Sequence, residues 1–363
     1  MAQDDKPAKS PEVSYDDRPF PSTGELPPEV QAPLAEYKGE PPPSPQWFKD
    51  AIAQEPERMF VESLGAKLEV LVWGQVGKPG LLFVHGNSAH ADWWSFIAPF
   101  FAEDFRVASM SLAGMGASDW RDRYAFTDFS EDAEAVARAT GLYEGGVKPI
   151  YIGHSFGGGQ VFFAAANNPE RMRAAILVDT GFGPPPEELA KRQAQMEAIR
   201  NIPTTDRPSR VYATLPEALN RFRLMPPQPA GNPFIADFIA RRSLKKVALP
   251  NGDKGPDGTG EGWTWRFDPN MWAKLDRGGM MQQHAQRPHG VKVPIVHIYG
   301  AKSRIVEHRK AGAASPFPPG MIEIEIPDSH HHVMIDQPLA LVATLRALLA
   351  GWSADGAAND GTP

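Results

Sequence analysis

Ile150-Tyr151-Ile152-Gly153-His154-Ser155-Phe156-Gly157-Gly158-Gly159 decides the fold of this chain. A short β-favouring apolar run enters Gly153, and a stretch of small residues that includes Ala164-Ala165-Ala166 leaves Gly157. This predicts a strand, a sharp turn and a helix. The turn carries the pattern G-x-S-x-G, which requires its serine to adopt a strained backbone conformation. Its flanking glycines let strand and helix pass without side-chain clashes. Ser155 Oγ is then expected at a helix N-terminus above the end of a sheet, where a developing anion is favoured.

Outward from this turn, the chain reads as a mostly parallel sheet with crossover helices. Strands are expected at 58–62 and 67–73, joined as a hairpin through Leu64-Gly65, then at 81–84, 106–111, 150–152, 174–179, 293–299 and 321–326. Helices are expected at 92–101, 128–140, 156–167 and 338–349. The last strand alternates Ile322, Ile324 and Ile326 with glutamates, which predicts an edge strand with one buried face. Residues 46–181 and 292–352 would form the core. The strand rhythm stops over 182–291, a length that suits a mainly helical cap or lid, with helices at 186–201, 215–224 and 233–247. The Pro-rich residues 1–45 read as an extended or disordered arm, open to a role in pairing two copies of the chain, and 353–363 as a disordered tail.

Composition excludes several functions. The chain has 363 residues, with Lys+Arg 37 against Asp+Glu 44 and a formal net charge of -7. No basic patch with interleaved aromatics is present to track nucleic acid. Without a cysteine there is no disulfide, thiolate nucleophile or thiolate metal site. No apolar run approaches the ~20 residues of a membrane span, and no secretory signal is readable, so a cytoplasmic location without membrane partners is expected.

Three further motifs accompany the serine turn. Val84-His85-Gly86-Asn87 ends the third strand, Ser111-Leu112-Ala113-Gly114-Met115-Gly116-Ala117-Ser118 follows the fourth, and Pro327-Asp328-Ser329-His330-His331-His332-Val333 follows the last. Together with the serine turn they resemble the α/β-hydrolase superfamily over residues 58–350, in its cap-bearing group of esterases, lactonases, epoxide hydrolases and dehalogenases. The resemblance implies an eight-stranded sheet flanked by helices, with Ser155 as nucleophile. It implies the amides of Asn87 and Phe156 as the oxyanion hole, each worth about 10²–10³ in rate. It places the base at His331, with His330 next in line and His332 as a neighbour. It makes Ser111 a substitute for a usual Asp at a structural position. A metal reading of the three histidines is disfavoured, because consecutive residues on one loop do not easily converge on one ion.

The acid departs from the family's common pattern. The usual aspartate after the seventh strand is replaced in Gly300-Ala301-Lys302-Ser303 by a serine, which cannot hold an imidazolium electrostatically. The family's alternative position, the end of the sixth strand, carries Asp179; Glu307 and Asp328 are the other candidates. Within the expected cap, Trp263, Trp265, Phe222 and Met225 are candidates to line a substrate pocket, although such residues more often form a core. Arg241 and Arg242 would suit a carboxylate substrate or simply a solvated helix face. The expected function is a serine carboxylic-ester or lactone hydrolase acting on a small molecule, without cofactor or metal. C–C bond hydrolysis on the same triad and a non-hydrolytic binding protein of this fold are the alternatives. An epoxide hydrolase or dehalogenase needs a carboxylate where Ser155 stands.

Overall fold

The computed structural model describes residues 26–181, 209–276, 291–305 and 321–359. Eight strands form one sheet: β1 (Glu57–Ser63), β2 (Ala66–Trp73), β3 (Gly80–Val84), β4 (Arg106–Met110), β5 (Ile150–His154), β6 (Ala174–Val178), β9 (Ile295–Gly300) and β10 (Ile322–Ile326). Their spatial order is β1-β2-β4-β3-β5-β6-β9-β10. The first two pairings are antiparallel and the rest parallel. Leu64 and Gly65 both take positive φ, 45° and 75°, which closes the β1–β2 hairpin in two residues with the right twist.

The period of two along the strands divides the interior into two cores. Leu81, Phe83, Ile150 and Ile152 face one side, packed with Trp94, Leu341 and Leu345. Leu82, Val84 and Tyr151 face the other, against Phe126, Phe129 and Ala164 of helices α3 (Phe126–Ala139) and α4 (Phe156–Asn167). The central strands are buried on both faces and read as unbroken apolar runs for that reason.

Several expectations are corrected. No continuous helix spans 92–101: two 3₁₀ turns, Ala91–Trp94 and Ala98–Phe101, lie there, with Pro99 at the start of the second. The helix expected over 233–247 stops at Arg242, and Leu244–Ala248 forms strand β7, antiparallel to β8 (Glu261–Trp265). The helix expected over 215–224 ends at Leu219, and the one at 186–201 lies outside the described residues. Thus the described part of the 182–291 segment mixes short helices with a two-stranded sheet. The second half of the N-terminal arm is folded: Pro28–Gln31 is helical, Val30 and Leu34 are buried, and Gly39 O accepts from Arg241 Nη2. The C-terminal helix runs Pro338–Asn359, beyond the expected start of a tail. On the edge strand β10, Ile326 is buried but Ile322 is 55% exposed, so the apolar face is only partly covered.

Candidate active site

The parallel order β5–β6–β9 brings three strand ends together. Ser155 N–H donates to Val178 O and Asp179 N–H to Ile298 O, so the ladder continues one residue past each strand. Ser155 has φ 52° and ψ -117°, a conformation outside the regions favoured by residues with a Cβ. The start of the following helix passes so close to the residue after β3 that a Cβ at Gly157 would stand 2.3 Å from His85 O. Gly86 is equally constrained, since its Cβ would lie 2.9 Å from His154 Nδ1 and 3.3 Å from Ser155 Cβ.

Asp179 also takes a positive φ, 44°. Its buried carboxylate is fully engaged: Oδ1 lies 2.8 Å from His331 Nδ1 and accepts from Ser303 Oγ at 2.6 Å, while Oδ2 accepts from Gly300 N–H at 2.8 Å. Because a carboxylate only accepts, His331 Nδ1 carries the proton and Nε2 presents a lone pair. Ser155 Oγ lies 2.9 Å from that lone pair. The three side chains therefore form a continuous relay, Ser155–His331–Asp179, in the geometry a nucleophile and its base require. Ser303, at the position where the family's aspartate is usual, donates to Asp179. That role was invisible in the sequence, because it depends on the β6–β9 pairing.

The rejected base and acid candidates have other partners. His330 Nδ1 lies 3.0 Å from Asp336 Oδ2, and the exposed Asp328 pairs with Lys302 at 2.8 Å. Glu307 lies outside the described residues. The loop carrying His331 is held from two sides. His154 Nε2 lies 3.0 Å from His331 O, and His332 N–H donates to Gln228 Oε1 at 2.9 Å. Gln228 Nε2 in turn donates to Asp336, which also accepts His330 N–H at 2.7 Å. Sequence reasoning missed Gln228, whose partners His332 and Asp336 lie more than a hundred residues away.

Burial lowers the pKa of His154 and of His332 well below the ordinary range, with His331 nearby adding to the effect, so both stay neutral. Burial also brings His85 down to about 3. Its Nε2 accepts Leu112 N–H at 3.0 Å and its Nδ1 faces Gly86 O at 2.7 Å, which fixes the turn beside Ser155. Asn87 follows Gly86 and is exposed; Phe156 opens α4, where the first amide has no intrahelical acceptor. The carboxylate missing at Ser111 is supplied by Glu69 of β2: Oε2 accepts Ser111 Oγ–H at 2.8 Å and Ala117 N–H at 3.0 Å.

The aromatic candidates of the 182–291 segment pack among themselves. Trp265 lies 6.3 Å from both Tyr212 and Phe222, Lys246 sits over the Trp263 ring, and Met225 is half exposed. Arg241 and Arg242 are tied down by Asp237 and by the buried Asp92, so neither is a plain solvated cation. The three histidines 154, 331 and 332 each offer a ring nitrogen within 4.8 Å of the others. This set differs from the three consecutive histidines of the sequence: His154 of the serine turn stands in it and His330 does not.

Fold and side-chain geometry together are those of the α/β-hydrolase class. Residues 81–345 match the model of the alpha/beta hydrolase family, and the chain belongs to that family. It is 32% identical over 113 residues to lipase LipV of Mycobacterium tuberculosis, a stretch covering 31% of this chain and 41% of that lipase. Against the bifunctional esterase/perhydrolase DCH of Acinetobacter calcoaceticus it is 29% identical over 253 residues, 67% of this chain and 81% of that one. The solved structure of E-2-(acetamidomethylene)succinate hydrolase superposes with a TM-score of 0.61 at 19% identity, covering 81% of this chain and 99% of that chain, a likeness of fold. Among the described residues no helix is long and apolar enough to cross a membrane.

Proposed function

We propose that the chain is a serine hydrolase that cleaves a carboxylic ester or lactone through an acyl-enzyme on Ser155. The reading rests chiefly on the relay of 2.9 Å and 2.8 Å that joins Ser155 Oγ, His331 and Asp179. His331 Nε2 takes the Ser155 proton as Oγ attacks the carbonyl carbon, and Asp179 stabilises the imidazolium that forms. The amides of Asn87 and Phe156 hold the oxyanion, the latter aided by the N-terminus of α4. His331 then passes its proton to the leaving alcohol. Water, deprotonated by the same nitrogen, releases the acid and restores Ser155.

Residues 182–291 serve as the cap in this reading, since Gln228 links that segment to the loop bearing the base. The lipase and esterase names of the two relatives favour ester chemistry. The non-hydrolytic alternative loses its main motive, because the serine at 303 supports a carboxylate at 179. The test is turnover of p-nitrophenyl esters, γ-lactones and a vinylogous 1,5-diketone by wild-type protein and Ser155→Ala. Ester or lactone turnover that falls at least about 10³-fold in the variant is expected. Undiminished ester turnover, or activity on the diketone alone, overturns the reading.

A further inference from the structure

Beyond this hydrolytic role, we propose that His154, His331 and His332 form a binding site for a nitrogen-preferring transition-metal ion such as Zn²⁺ or Cu²⁺, which occupies the base and shuts the site down. Each histidine offers one ring nitrogen, and the three lie within 4.8 Å of one another. The rings lie close together, each tilted to the others: His331 is 4.8 Å from each of the other two between centroids, and His154 and His332 are 5.3 Å apart.

The hydrogen bonds leave lone pairs for an ion. His154 Nε2 faces the carbonyl of His331, which can only accept, so Nε2 carries the proton and Nδ1 is a bare lone pair. That nitrogen is buried without a hydrogen-bond partner, and His332 turns one ring nitrogen to the backbone carbonyl of Met225, which leaves its other nitrogen for an ion. Unpaired polar atoms at this depth are costly unless a ligand or water meets them. Gly86 leaves open the space beside His154 Nδ1 and Ser155 that any Cβ would fill.

The surroundings match a ligated imidazole. A metal-bound histidine usually donates its second ring N–H to a carboxylate, and His331 Nδ1 does so to Asp179 at 2.8 Å. The same carboxylate offsets part of the ion's charge. Among the described residues no carboxylate joins the three nitrogens, which selects Zn²⁺, Cu²⁺ or Ni²⁺ over Mg²⁺ and Ca²⁺. Metal–nitrogen bonds of about 2.0–2.1 Å put ligand nitrogens closer together than they stand now, so the rings must close by roughly 1 Å. His331 Nε2 then leaves Ser155 Oγ, and inhibition follows because one lone pair cannot serve both.

The experiment uses full-length Ser155→Ala protein, so that binding is read without turnover and stands apart from the hydrolase reading. Equilibrium dialysis against Zn²⁺ at pH 7, and Cu²⁺ electron paramagnetic resonance to count nitrogen ligands, are compared with His332→Phe and Asp179→Asn in the same background. One tight site with three nitrogens is expected, absent for Mg²⁺ and Ca²⁺. His332→Phe should weaken it at least tenfold, and Asp179→Asn by about 10–100-fold. If the first variant does not fold, the second decides. Binding that is missing, or unchanged in the folded variants because ions sit on other histidines, overturns the proposal.

Discussion

Replacing Asp179 by Asn tests the relocated acid, and the hydrogen bonds around it fix the size of the effect. Gly300 N–H donates to Oδ2, while His331 Nδ1 and Ser303 Oγ meet at Oδ1. In the variant the amide oxygen is retained by the Gly300 N–H, because an NH₂ group there would oppose a backbone donor. The NH₂ group then faces His331 and donates to Nδ1. This moves the ring proton to Nε2, which donates toward Ser155 Oγ and can no longer take its proton. Such a tautomer switch costs about 10⁴ in kcat, or ~5.4 kcal/mol of transition-state stabilisation. Ser303 is one hydrogen bond from the same oxygen, so a carboxylate at 303 can reach the imidazole. Asp179→Asn/Ser303→Asp should recover about 10²-fold of the loss, since it restores the tautomer but not the full set of bonds. The assay is kcat/KM on an aryl ester, with circular dichroism to confirm folding. A single variant within tenfold of wild type refutes the reasoning.

Three other perturbations follow from the same geometry. Gly86→Ala places a methyl group against His154 Nδ1 and Ser155 Cβ, and stopped-flow ester turnover should fall by about 10² or more as the neighbouring oxyanion amide is displaced. Gln228→Ala removes the acceptor of His332 N–H and one of the donors to Asp336, which should lower kcat about tenfold while KM moves less than twofold; a change in KM alone would contradict a role in positioning the base loop. His85 is held neutral, with its pKa brought from 6.5 to about 3, so the unfolded chain binds the proton first on acidification. Its stabilising contribution is complete above about pH 6.5 and is lost as the pH falls toward 3, on the order of 5 kcal/mol over that window. Urea denaturation from pH 7 to pH 4 should show stability falling, with a shallower fall in His85→Gln.

The sheet was legible because parallel strands buried on both faces appear as short apolar runs, and the elbow because its glycines answer a steric demand at Ser155. Local pattern misled where burial was uniform. Residues 92–101 are apolar nearly all round, so no periodicity separates a helix from two 3₁₀ turns. Leu244–Ala248 continues a basic helical face and becomes a strand only through pairing with Glu261–Trp265. Within the site, Asp179 was reached through the family resemblance, which offers the end of the sixth strand when Ser303 occupies the usual acid position. What the resemblance could not supply were partners distant along the chain: Ser303 for Asp179, Glu69 for Ser111, and Gln228 for the histidine loop. Those contacts are set by strand register and by the intervening segment, neither of which leaves a local signature.

The central claim is that Ser155 is an activated nucleophile, and covalent capture measures it most directly. Wild-type protein is incubated with a fluorophosphonate at pH 7.5, digested, and mapped by mass spectrometry. The account predicts one adduct per chain on Ser155, with labelling slowed at least about 10²-fold in His331→Ala. A folded protein that takes up no label at Ser155, or labels equally fast without His331, contradicts it.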